Sequence, residues 1–153
     1  MENMNIVYPL EICQRALESS GVKTVIHPKG NRLSLSPIGI SPSRTVAADI
    51  ESYRNDDRSQ TFVMESASAC YAGIDKKVLP GIIRSVNGRL PEDIKVEFDD
   101  KEGCSVYSYS FTIDDESHIS EAAIRDKIGL FIQIIAVCED NILTLSQIMD
   151  KAA

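Results

Sequence analysis

The residues able to do chemistry in this chain are few and scattered. It has two histidines, His27 and His118, and four cysteines, Cys13, Cys70, Cys104 and Cys138. A histidine near neutral pH is the usual general base, but it works on or through a partner within hydrogen-bond reach. Neither histidine has a Ser, Cys or Asp at a spacing that recurs in nucleophile–base pairs, and each is expected exposed beside a strand end or turn. The cysteines are too far apart for a C-x-x-C pair, and two histidines with scattered thiols do not supply a zinc ligand set. In a reducing compartment they read as small buried hydrophobes. No G-x-G-x-x-G, phosphate-binding loop, G-x-S-x-G or H-E-x-x-H is present. No catalytic residue, cofactor or metal is expected.

Two further clusters invite a chemical reading. Asp99, Asp100 and Glu102 place three carboxylates in four residues. A calcium loop needs oxygen ligands at alternate positions and a distant bidentate Glu. Lys101 occupies one alternate position and no Glu stands at the distance required, so a solvated hairpin turn is expected. Tyr107 and Tyr109 lie on an aromatic strand that could stack nucleic-acid bases, but the basic residues that would hold phosphates are missing around it. These tyrosines are expected in a core or interface.

Charge points the same way. The net charge is −7 over 153 residues, with 43% apolar and 25% charged residues. Residues 1–91 carry 11 Lys/Arg and 9 Asp/Glu, whereas residues 92–153 carry 5 and 14. An acidic C-terminal part repels phosphates, so no nucleic-acid partner is expected. It suits a basic or mixed-charge protein. The opening Met-Glu-Asn-Met-Asn lacks the basic and apolar regions of a secretory signal, and the apolar run Gly129–Cys138 is too short to span a bilayer. No membrane association is expected, and a cytoplasmic location is.

The elements follow from periodicity and punctuation. Leu10, Cys13, Ala16 and Leu17 recur at helical spacing behind Pro9 and ahead of Gly21, predicting a helix over 9–20. Val22–Ile26 and the alternation at Leu33 and Leu35 are β-like, with Pro37 and Pro42 marking an edge or loop. Residues 45–54 and 60–68 read as a hairpin. A second helix is expected near 75–90, with Asp75 as N-cap, Ile82, Ile83, Val86 and Leu90 as its apolar stripe, and Pro80 as a kink or the true start. Ile94, Val96 and Phe98 then pair with a strand carrying Tyr107, Tyr109, Phe111 and Ile113 on one face. Ser120 caps the last helix, Ile119 and Ile124 staple it, and Ile124, Ile128, Phe131, Ile132 and Ile135 form its buried stripe. Cys138–Asn141 leaves open whether an extra C-terminal helix, 141–151, is separate. The sum is a single α+β domain over 1–153, an antiparallel sheet of about five strands with helices packed on one side.

The apolar residues Ile142, Leu145, Ile148 and Met149 are candidates for a partner surface. If the last helix outruns the sheet, they need something to cover them; otherwise they fold back on the core.

The order helix, strands, helix, two strands, helix resembles the YbjN-type bacterial sensory-transduction-regulator family, whose fold is similar to that of the class I type III secretion chaperones. The segment Ile82-Ile83-Arg84-Ser85-Val86-Asn87-Gly88-Arg89-Leu90, the hairpin 94–113 and Ser120 to Ile135 carry the likeness, about a third of the chain. The family often has a second Asn soon after the first, where this chain has Gly88, Arg89 and Leu90. The resemblance implies a small acidic homodimer that binds protein segments and catalyses nothing.

Three functions are weighed. A protein-binding adaptor or chaperone-like regulator fits the missing chemistry and the apolar stripes, with clients along helix grooves or at a sheet edge. A small-molecule-binding or enzymatic domain could assemble a site from scattered residues. A structural subunit of a larger assembly is the third.

Overall fold

Among the described residues, alternating apolar and polar positions build one six-stranded sheet, and three helices bury its apolar face. The computed structural model describes residues 2–27, 31–41, 44–71, 73–115 and 119–152. In chain order these are α1 (Glu2–Glu18), β1 (Thr24–His27), β2 (Arg32–Ser41), β3 (Arg44–Arg54), β4 (Gln60–Ala67), α2 (Leu79–Asn87), β5 (Ile94–Asp99), β6 (Cys104–Ile113) and α3 (Glu121–Ala152). Every neighbouring pair is antiparallel, in the order β1-β2-β3-β4-β6-β5. Buried residues alternate along β3, β4 and β6, as expected of a sheet with one covered face.

The sheet has six strands, close to the five or so expected, because β2 resumes its pairing with β3 beyond Pro37. Its register with β3 shifts between Leu35 and Ile38. That irregularity accommodates a residue with no N–H to donate. The helix expected over 9–20 begins earlier, at Glu2, and holds Pro9 inside it. It stops where Gly21 takes φ +87. There Val22 N–H donates to the Leu17 carbonyl and Gly21 N–H to that of Glu18, both at 3.0 Å, which closes the helix end with its own carbonyls.

α2 is shorter than the 75–90 expected. Pro80 sits in its first turn, so the proline marks the true start. Asp75 does not cap it; the carboxylate accepts the Lys77 N–H at 2.9 Å in the preceding turn. The β5–β6 turn likewise uses Asp99 as an acceptor for Lys101 and Glu102 N–H, at 3.0 and 3.2 Å, with Gly103 at φ +67. Asp99 shapes the turn.

The core joins β6 to α3. Tyr107, Tyr109 and Phe111 are buried, and Ile113 packs at the margin. The Phe62 and Phe111 rings stack at 5.1 Å, and Tyr109 meets Phe131 at 5.7 Å. Ser120 caps α3 by accepting the Ala123 N–H at 3.2 Å, and Ile119 and Ile124 pack as a staple. α3 runs unbroken for 32 residues, so residues 141–151 are not a separate helix. It does not break at Cys138–Asn141 because Cys138, Glu139 and Ile142 all face inward.

Candidate functional site

α3 presents two faces to very different surroundings. On the inner face Ile124, Ile128, Phe131, Ile135, Cys138 and Ile142 are buried at helical spacing. Among them sits a carboxylate. Glu139 is 2% exposed and pairs with Arg44 of β3, Nη2 to Oε1 at 2.5 Å and Nε to Oε1 at 3.1 Å. Its other oxygen accepts the hydroxyls of Tyr71 and Tyr107, each at 2.5 Å. Tyr71 hydroxyl also bonds Ser105 Oγ at 2.6 Å, and the Arg44 guanidinium lies 4.9 Å over the Tyr71 ring. Arg44 donates further to the Ala69 carbonyl at 3.0 Å.

This network ties α3 to β3, β6 and the segment that leaves β4. Burial, reinforced by the nearby Glu139 charge, pushes the Tyr71 and Tyr107 hydroxyls well above the ordinary tyrosine range. Both carboxylate oxygens are committed to protein donors, leaving neither free for a reactant. The arrangement is therefore a lock. Sequence reading treated Glu139 only as a possible helix break; an isolated Glu on an apolar stripe, four residues after Ile135, was the signal available.

The outer face is apolar and uncovered. Leu130 is 44% exposed, Val137 57% and Ile148 58%. Between this face and α2 runs a groove of about 530 Å³. Val86, Arg89 and Leu90, from α2 and the turn after it, form one wall; Ile134, Val137, Asn141 and Leu145 form the other. The walls offer mostly apolar groups with one guanidinium (Arg89), two amides (Gln133 and Asn141) and two hydroxyls (Ser85 and Thr144), and no carboxylates or imidazoles.

The four partner-surface candidates separate here. Ile142 is fully buried and belongs to the core, because it follows Ile135 and Cys138 on the inner stripe. Leu145 lines the groove, while Ile148 and Met149 are exposed beyond its lining. Leu130, Ile134 and Val137 were not singled out, although their 4-3 spacing, offset from the core stripe, marks a second apolar face.

By length and composition α3 could cross a bilayer over Glu121–Met149, although its longest continuous apolar run is short. In this fold its inner face packs on a sheet and holds the Arg44–Glu139 pair.

The remaining candidates stay apart. His27 is exposed at the end of β1, its Nε2 3.0 Å from Ser34 Oγ; His118 lies outside the described residues. Cys13, Cys104 and Cys138 are buried, but Cys70 is exposed, because its segment runs along the surface past the β5–β6 turn. Burial pushes the Cys13 thiol up to about 12. Burial first, then the neighbouring Glu139 charge, takes that of Cys138 to about 11. Among the described residues no three His, Cys, Asp or Glu side chains group as a metal site.

No family model matches the chain, and no curated protein matches it. A chain in the structure of the HopA1–SchA chaperone–effector complex does, with a TM-score of 0.50 and 11% identity over 90% of this chain and 94% of that one. At that identity the likeness concerns the fold alone: the chain shares its α+β fold, an antiparallel sheet with helices, with that chain of the complex.

Proposed function

We propose that this chain is a protein-binding adaptor with a chaperone-like role that catalyses no reaction. The observation that carries this reading is the uncovered apolar face of α3 with its groove against α2, on a fold shared with a chain of a chaperone–effector complex. Exposed apolar surface of this kind on a soluble layer fold marks a place where another protein docks. A helical segment laying its apolar side chains between Val86 and Val137 would be held as helices are held in grooves. The chain works in the cytoplasm, without nucleic acid or membrane, and as a homodimer. Membership of the YbjN-type family rests on Ile82–Leu90 and the elements that follow it.

The test is an affinity pull-down of the tagged chain from its native lysate, with mass-spectrometric identification and light scattering of the bait. One stoichiometric partner lost on Val137→Glu supports the reading. A bait that recovers nothing, and is stabilised instead by a metabolite in a thermal-shift screen, overturns it.

A further inference from the structure

Cys70 differs from the other thiols: Cys13, Cys104 and Cys138 are buried, and Cys70 is exposed. It lies in the segment that leaves β4 and continues beside the start of β6. The β4–β6 ladder reaches Ala67 opposite Val106, and irregular bonds carry the pairing further. Ser68 N–H donates to the Ser105 carbonyl at 2.9 Å, and Ser105 N–H donates to Ser68 Oγ at 2.9 Å. Tyr71 N–H donates to the Gly103 carbonyl at 3.3 Å. The Cys70 thiol donates to the Glu102 carbonyl at 3.0 Å. Residues 68–71 are thus stitched to residues 102–105, which places Cys70 beside Cys104.

The spacing suits a covalent bridge. The Cα of Cys70 is two bonds from the Tyr71 nitrogen, and the Cα of Cys104 is three bonds from the Gly103 oxygen. The single Tyr71–Gly103 hydrogen bond therefore spans the gap between the two residues. A disulfide joins Cα atoms about 4.4–6.8 Å apart, and neighbouring antiparallel strands hold facing Cα atoms at about 4.5–5.5 Å. Electrostatics agrees with this placement. Burial first, then the charges of Asp99 and Cys70, pushes the Cys104 thiol up, whereas the Cys13 and Cys138 thiols are shifted by no other cysteine. Cys70 Sγ is held by one thiol–carbonyl bond, a weak one, so the side chain is free to turn.

We propose that Cys70 and Cys104 are a thiol-oxidation site that closes as a reversible disulfide, with a low-molecular-weight disulfide such as oxidised glutathione as the oxidant. Cys70 reacts first, because it is the thiol that solvent reaches. Its thiolate attacks one sulfur of the oxidant and expels one small thiolate. Cys104 then gives its proton to water and attacks Cys70 Sγ, forming the bridge and expelling the second small thiolate. Two protein thiols are oxidised, one small disulfide is reduced to two thiols, and the two protons lost by the cysteines balance those thiols. The bridge closes the loop of residues 70–104. It fastens to β6 the segment from which Tyr71 reaches Ser105 and Glu139. In a reducing compartment a disulfide of this kind is transient and reports the redox state. The site stands apart from the α2–α3 groove and does not depend on what docks there.

The test is a titration of the native full chain with oxidised glutathione, followed by alkylation of the remaining thiols, non-reducing digestion and mass spectrometry. One intrachain link between the Cys70 and Cys104 peptides is expected, with the loss of two free thiols and full reversal by dithiothreitol. The oxidised chain should unfold at higher urea than the reduced chain, because the bridge restricts the unfolded state. In Cys104→Ala, glutathione should remain on Cys70 as a mixed disulfide. In Cys70→Ser, an exposed change that leaves the core intact, the native chain should take up no glutathione. A wild-type chain that does not react overturns the proposal, as does one that keeps glutathione on Cys70 without closing the bridge. A link from Cys70 to Cys13 or Cys138, or between two chains, overturns it equally. An oxidised chain no harder to unfold than the reduced one would mean that the native geometry does not fit the bridge, and would sink the proposal even with the link present.

Discussion

The two faces of α3 invert the usual distribution of polarity. The inner face buries a carboxylate, and the outer face exposes Leu130, Val137 and Ile148 to water. On the inner face, cost is offset by pairing: Glu139 meets a guanidinium and two hydroxyls, so no buried charge is left alone. On the outer face nothing among the described residues offsets exposure. A helix apolar on two sides needs two coverings, and the sheet supplies one. A residue's burial within one chain therefore tells stability, while apolar exposure on a second helix face marks a surface that a protein partner can cover.

Removing the carboxylate is the largest expected break in that comparison. Glu139→Ala leaves Arg44 beside two tyrosines with no counter-charge, and should cost about 3–5 kcal/mol. Urea unfolding of the variant measures this. A loss below about 1 kcal/mol would mean that the network is ornamental and that α3 is held by its apolar stripe alone.

The next contrast sets Ile142 against Ile148, six residues apart on the same helix. Ile142→Ala removes a side chain with no exposure and should cost about 2–5 kcal/mol through lost burial and the cavity left behind. Ile148→Ala, at 58% exposed, should leave the stability of a single copy within about 0.5 kcal/mol. Equal losses on denaturant titration would place both in one core and erase the distinction between the faces.

This pair also shows what the sequence made legible. Ile142, Leu145, Ile148 and Met149 are all apolar near a helix end, and composition cannot separate them. Their angles about the axis can, once the inner stripe is known to run unbroken through Cys138. The hairpin of residues 94–113, the Ser120 cap and the stop at Gly21 were legible because each rests on a local rule. Pro37 reads as an edge or loop because a missing donor argues against a strand, and only the irregularity beside it shows how the ladder adjusts. The Glu139 lock was illegible for another reason. Its partners Arg44, Tyr71 and Tyr107 come from three distant segments, and no spacing rule links them.

Alkaline pH should sharpen the comparison, because four of the groups it titrates lie inside. Cys13, Cys138, Tyr71 and Tyr107 have folded values raised above their ordinary ones. A raised value means that the folded state holds its proton more tightly than the unfolded chain. Stability is then complete below the unfolded values and falls as pH rises past them. For Cys13 the window opens at its ordinary value of 9.0 and closes near about 12. Melting temperature should fall steadily above that lower bound, and Cys13→Ala should flatten the descent. A melting temperature constant up to pH 11 would contradict the burial of these groups.

The smallest effect on folding is expected from Leu130→Ser. The side chain is 44% exposed on the outer face of α3 and lies outside the core, so a single copy should lose no more than about 0.5 kcal/mol. The same change removes an apolar side chain from any pairing along the outer face of α3. Stability measured at high dilution should therefore match the wild type, while at high protein concentration the variant should melt lower, because only an associating chain gains stability by mass action. A deficit that is the same at both concentrations would put Leu130 in the monomer core. No deficit at either would mean that the outer face of α3 stays uncovered by another copy.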